Sequence, residues 1–129
     1  MQRANFVSLW FGNLKSRRAM EKYIKIKDSK DGDFIPSEFA RDFNIKGYND
    51  NCREAEFIET PTKNIDGLLK SFSYDKVMIE YLKGLSGENL DQEYNTAILL
   101  FNFNYDGTIP EVHHPKGFLK FMDSTQYRG

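Results

Sequence analysis

The stretch Phe6–Phe11, FVSLWF, limits the possible folds more than any other. Only Ser8 interrupts its apolar side chains. A strand with one wet face alternates apolar and polar residues; a run like this one is apolar on both faces and belongs in the middle of a sheet. A second run, Tyr94–Tyr105 (YNTAILLFNFNY), is the longest strand candidate. Eleven Phe, seven Tyr and one Trp in 129 residues supply an ordinary core and argue against disorder.

Between the two runs the period changes. Gly12 and Asn13 end the first strand, and Ser16 is placed to cap a helix running to about Ile26. Ala19, Met20, Tyr23 and Ile24 share one face of it, with Lys and Arg on the other. Lys27–Pro36 reads as a loop. Ser37 then caps a short helix with Phe39 and Phe43 one turn apart. In Cys52–Glu59 (CREAEFIE), Ala55 and Phe57 point one way and Glu54 and Glu56 the other, as in a strand with one wetter face. Ile65, Leu68, Leu69 and Phe72 have helical spacing, as do Tyr74, Val77, Met78, Tyr81 and Leu82 after a Ser73 cap. Gly117–Tyr127 is a last strand. The expectation is a compact α+β fold in one domain, residues 1–129, with a sheet of about four strands and helices packed mainly on one face.

Charge is segregated along the chain. Residues 1–30 carry eight Lys or Arg against Glu21 and Asp28. Residues 31–60 carry Asp31, Asp33, Glu38, Asp42, Asp50, Glu54, Glu56 and Glu59 against Arg41, Lys46 and Arg53. A two-signed surface can steer a charged partner. The net charge of −1 argues against a nucleic-acid binder. The single cysteine, Cys52, has no internal disulfide partner, and with no apolar signal stretch the expected location is the cytoplasm. The longest apolar run, Ala97–Phe101, is too short to cross a membrane.

Catalytic and metal chemistry is sparse. Lys27–Glu38 has the Asp-Gly and closing Glu of a calcium loop, but a lysine stands at the first ligand position and Pro36 stiffens the exit. Asn102, Asn104 and Asp106 have ligand spacing, but His113 stands where a bidentate Glu belongs. His113 and His114 are adjacent, so in an extended segment they point apart and read as surface histidines. No metal or cofactor is expected. Glu54 and Glu56 share a strand face, which leaves open a small hydrolase using paired carboxylates. The basic first helix, with Arg17, Arg18, Lys22 and Lys25, leaves open a nucleic-acid-binding module. Trp10 and Phe101 read as core; Tyr48, in a polar loop, reads as a surface contact.

In order along the chain, FVSLWFGN, PSEFARDFNI, YNDNCREAEF, LLKSFSYDK and YNTAILLFNFNY together resemble the bacterial immunity protein 22 family of polymorphic toxin systems. The resemblance runs from Phe6 to about Tyr127. It includes the cluster Ser37, Phe39, Asp42 and Phe43, an acid at Asp50, and Glu54 before a small residue. Cys52 departs from it, standing where the family more often has an aromatic residue. The resemblance implies a non-catalytic cytoplasmic antidote that binds a cognate toxin domain, with a basic nuclease the favoured toxin class. Taken with the charge reversal, it makes Asp31, Asp33, Asp42, Tyr48, Asp50, Glu54 and Glu56 the expected toxin-binding residues.

Overall fold

The computed structural model describes residues 2–28, 32 and 34–129. The strand expected from FVSLWF is β1 (Gln2–Leu14), at the centre of a five-stranded antiparallel sheet. It is flanked by β5 (Asn89–Phe103) and β7 (Gly117–Gln126). Beyond β5 lies β4 (Arg53–Asn64), and beyond β7 lies β6 (Glu111–His114), in the order β4-β5-β1-β7-β6. The α+β expectation holds, with five strands rather than about four. The extra one, β6, has four residues between Pro110 and Pro115, too few to show a period.

Helices cover both faces of this sheet, which corrects the expectation of one covered face. Val7, Leu9 and Phe11 join a cluster with Ile65, Leu68 and Leu69 of α3 (Ile65–Leu69) and Met78 and Leu82 of α4 (Asp75–Ser86). Trp10 and Leu14 join a second cluster with Met20, Tyr23 and Ile24 of α1 (Arg17–Ile24) and Phe39 and Ala40 of α2 (Glu38–Asp42). The physical reason is in β1 itself. A strand apolar on both sides needs a cover on each, since one layer would leave either Phe11 or Trp10 in water.

Trp10 is the hub of the second cluster. The rings of Phe39, Phe121, Tyr105 and Phe43 surround it at 5.0, 5.3, 5.4 and 5.8 Å. Its indole N–H is buried with no hydrogen-bond partner among the described residues. Ser8, the polar interruption, is by contrast fully engaged. Its hydroxyl lies 2.9 Å from the Phe103 carbonyl oxygen and 2.7 Å from Ser124 Oγ, and it accepts the Tyr105 N–H at 2.9 Å. Further along β1, Gly12 allows β7 to come close: a Cβ there would collide with the Phe118 carbonyl oxygen.

The alternation of β5 breaks at Asn102. This residue has φ 58°, so Phe101 turns into the first cluster and Phe103 into the second. Asn102 Oδ1 accepts the Asn5 N–H and the Tyr127 O–H, both at 2.9 Å. Asn5 itself has φ 69°, and the β1–β5 register slips between Gln2 and Val7. Asparagine tolerates the left-handed region better than most residues, so both irregularities fall where the chain can best accept them.

Local differences from the sequence reading are few. β2 (Lys27–Asp28) and β3 (Phe34–Ile35) pair as a small ribbon within the expected loop. α1 ends at Ile24 rather than about Ile26. β4 continues through Pro61, which an edge strand permits because its outer N–H groups need no ladder partner. β5 starts at Asn89, ahead of the Tyr94 at which the apolar run begins. Tyr74, at φ 55°, stands at the α4 N-cap expected for Ser73 and makes no side-chain cap. Among the described residues no helix is long and apolar enough to cross a membrane.

Candidate functional site

The chain between α2 and β4 wraps one end of the sheet. Ser37 Oγ caps α2 by accepting the Ala40 N–H at 3.0 Å, and it lies 3.4 Å from the Tyr48 hydroxyl. Arg53 Nη1 donates to that hydroxyl at 3.3 Å and to the Ile24 carbonyl at 2.9 Å, tying the start of β4 to the end of α1. The Tyr48 ring stands edge-on to Phe39 at 6.3 Å and is half-buried. Asn49 then caps a 3-10 turn, Asp50–Cys52, by accepting the Asn51 N–H at 3.0 Å. Asp50 is exposed in its first turn. A groove of about 220 Å³ opens beside it, lined by Gln2, Tyr48, Asn49, Cys52 and Phe101–Phe103.

The other expected contact residues are dispersed. Asp31 and Asp33 lie outside the described residues. Asp42 accepts the Tyr23 O–H at 2.8 Å, which holds α2 to α1. Burial, and then this carboxylate, push the Tyr23 phenol far above its ordinary pKa. Glu54 Oε1 accepts the Ser73 N–H at 2.9 Å, ahead of α4. Glu56 Oε1 pairs with Arg17 Nη1 at 3.0 Å, while Arg17 Nη2 donates to the Phe57 carbonyl at 2.7 Å. Glu54 and Glu56 therefore each serve a different partner, and the sheet end brings together Tyr48 and Asp50 rather than a single acidic face.

Sequence reasoning missed a clamp on the opposite side of α2. Glu38 receives Lys116 Nζ at 3.0 and 3.2 Å and His114 Nε2 at 3.0 Å. His114 Nδ1 accepts the Lys116 N–H at 3.0 Å, so its Nε2 is the protonated nitrogen that donates to Glu38. Its ring packs edge-on to Tyr23 at 5.1 Å. Reading both histidines as surface residues is thus corrected for His114, which is largely covered, while His113 stays in solvent. Partial burial works to raise the Glu38 carboxyl, but Lys116, then His114 and Arg41, outweigh it and hold it below its ordinary range. Glu38 would have been the closing ligand of the calcium loop; here it fastens the β6–β7 hairpin to α2 instead. The only hint in the sequence was Pro115, which turns the hairpin so that His114 and Lys116 face one acid.

The family model described as immunity protein 22 matches residues 7–128. The chain belongs to the immunity protein 22 family. No curated protein and no solved structure matches it. An immunity role in general follows from that membership. In this immunity protein 22 member, the Ser37, Phe39, Asp42 and Phe43 cluster is a structural joint. Ser37 caps α2, Phe39 and Phe43 pack on Trp10, and Asp42 holds Tyr23. Cys52 is half-buried beside Asn102, whose Nδ2 lies 3.9 Å from its sulfur, and forms part of the groove wall.

Proposed function

We propose that this protein is a cytoplasmic antidote, acting as one domain, that binds a cognate toxin domain and blocks it without catalysis. The observation that carries the reading is the sheet end within an immunity protein 22 chain. Tyr48, a rigid half-buried ring, stands next to exposed Asp50 and an open groove. A tyrosine anchor with a charged rim and an adjoining concavity is how protein interfaces concentrate their binding energy. Glu54 flanks this surface. Asp42 and Glu56, occupied by Tyr23 and Arg17, support the scaffold behind it. Asp31 and Asp33 belong to the same proposal through charge alone. The acids favour a toxin with a basic groove, such as a nuclease, whose phosphate-binding surface they would compete for. The separate partners of Glu54 and Glu56 weigh against a hydrolase.

The experiment is binding of the toxin domain encoded beside the gene. Asp50→Lys should slow association and flatten its salt dependence. Tyr48→Ala should cost about 2 kcal/mol or more of binding. Unchanged affinity and rate in both variants would remove the sheet end from the interface.

A further inference from the structure

Among the described residues, much of the positive charge has no ion-pair partner, and it gathers in one place. Lys22 stands on the exposed side of α1, exposed Lys25 is its C-cap, Lys27 follows in β2, and Arg41 projects from the last turn of α2. With Ile35, Pro36 and Glu38 they line a groove of about 140 Å³. Arg18, one turn before Lys22, extends the row along α1, with Glu21 beside it. Among the described residues none of these five cations forms an ion pair. Glu38, the one acid on the groove wall among the described residues, is already held by Lys116 and His114. The floor is aliphatic, formed by Pro36 and by Ile35, which is 39% exposed.

We propose that this groove receives an acidic segment of a partner protein, with an apolar side chain on Ile35 and Pro36 and carboxylates among Lys22, Lys25, Lys27 and Arg41. Three observations favour protein over nucleic acid. Among the described residues no aromatic ring lines the groove to stack a base, its floor there is aliphatic, and the chain as a whole is net negative. The segment belongs to the toxin, a step that rests on the reading above. Pro36 lines both this groove and a small cleft that reaches Tyr48, and Tyr48 lines the groove at the sheet end. The linings run from the cations through Pro36 to Tyr48, two residues before exposed Asp50, so one partner with both signs of charge can cover them.

The test uses the whole chain with three probes, titrated at about 50 and about 200 mM NaCl. They are the toxin domain encoded beside the gene, a fluorescent Glu/Leu peptide of about twelve residues, and a single-stranded DNA of about twenty nucleotides. Wild type is compared with Lys22→Glu/Lys25→Glu and with Asp50→Lys. Both lysines are exposed, so the fold should be unchanged by circular dichroism. The double reversal is expected to weaken the peptide and the toxin by about tenfold or more at the lower salt, while Asp50→Lys leaves the peptide unaffected. Absence of peptide binding by wild type, or peptide binding indifferent to the reversal, overturns the groove. DNA bound more tightly than peptide and lost on reversal overturns the protein occupant. Toxin bound equally by wild type and double reversal overturns the toxin as its source. A wild type that takes the peptide through this groove but ignores the toxin refutes the antidote reading and leaves the acidic occupant standing.

Discussion

Replacing Trp10 separates two contributions that usually travel together. The residue is fully buried among four aromatic rings, yet its indole N–H has no partner among the described residues. Trp10→Ala removes on the order of 200 Å² of buried surface, about 5 kcal/mol at 25 cal/mol per Å², and opens a cavity. Removing the orphan N–H returns about 1–3 kcal/mol. The expected net cost is about 3–5 kcal/mol, in line with core aromatic truncations. Trp10→Phe behaves differently. It keeps most of the ring, loses on the order of 50–100 Å² or about 1–2.5 kcal/mol, and removes the same orphan donor. The two effects nearly cancel, so this variant should lie within about 1 kcal/mol of wild type. Urea melts followed by circular dichroism measure both, since the only tryptophan is the one replaced. A Phe variant as damaged as the Ala variant would show that the N–H is bonded and that the orphan argument is wrong.

Two pH effects follow from the polar groups. The Glu38 carboxyl is held below its ordinary range, so its stabilisation is present above the unfolded value of about 4.3 and lost as pH falls through the folded one. Glu38→Gln should therefore cost about 1 kcal/mol near neutrality and nothing near pH 2, and a cost that persists in acid would sink the clamp as an ionic device. Tyr94 is pushed up to about 12, by burial first and Asp91 second. A raised phenol stabilises fully below about pH 10; above it the unfolded chain ionises first, and stability should fall by about 1.4 kcal/mol per pH unit up to about 12. Tyr94→Phe should make the alkaline decline shallower, and parallel declines in the two proteins would contradict this.

What could be read from the sequence was whatever depends on neighbours along the chain. FVSLWF announced a central strand, and the spacing of Phe39 and Phe43 announced a helix face; Trp10 and Phe101 are buried as expected. The covered second face was also implied by FVSLWF, but the helices did not say which side each would take. The fate of the acids was not legible. Asp42 meets Tyr23 across the α1–α2 turn, Glu54 meets the backbone of Ser73, and Glu38 meets Lys116 from the far end of the sheet. A run of like charges in sequence says only that carboxylates are present, and each is claimed by whatever donor the topology delivers. The Asn102 irregularity was hidden for a similar reason. FNFNY keeps a perfect alternation in letters while the backbone switches faces in space.

The place of β1 bears on how the protein is made. Its partners come late: Gly12 pairs with Thr96, Leu14 with Gly117, and Phe6 with Gln126. FVSLWF leaves the ribosome well before the strands that shelter it. Until β5 and β7 emerge this apolar segment has neither neighbour, and loops of this span close slowly. Helices α1 and α2 can form early, but the surface they pack against is not assembled until β5 and β7 emerge. Until then the chain exposes its central strand, the condition under which nascent chains aggregate or recruit chaperones. The moment this immunity protein 22 member can act is therefore set by β5 and β7, the strands that close over β1, rather than by β1 itself.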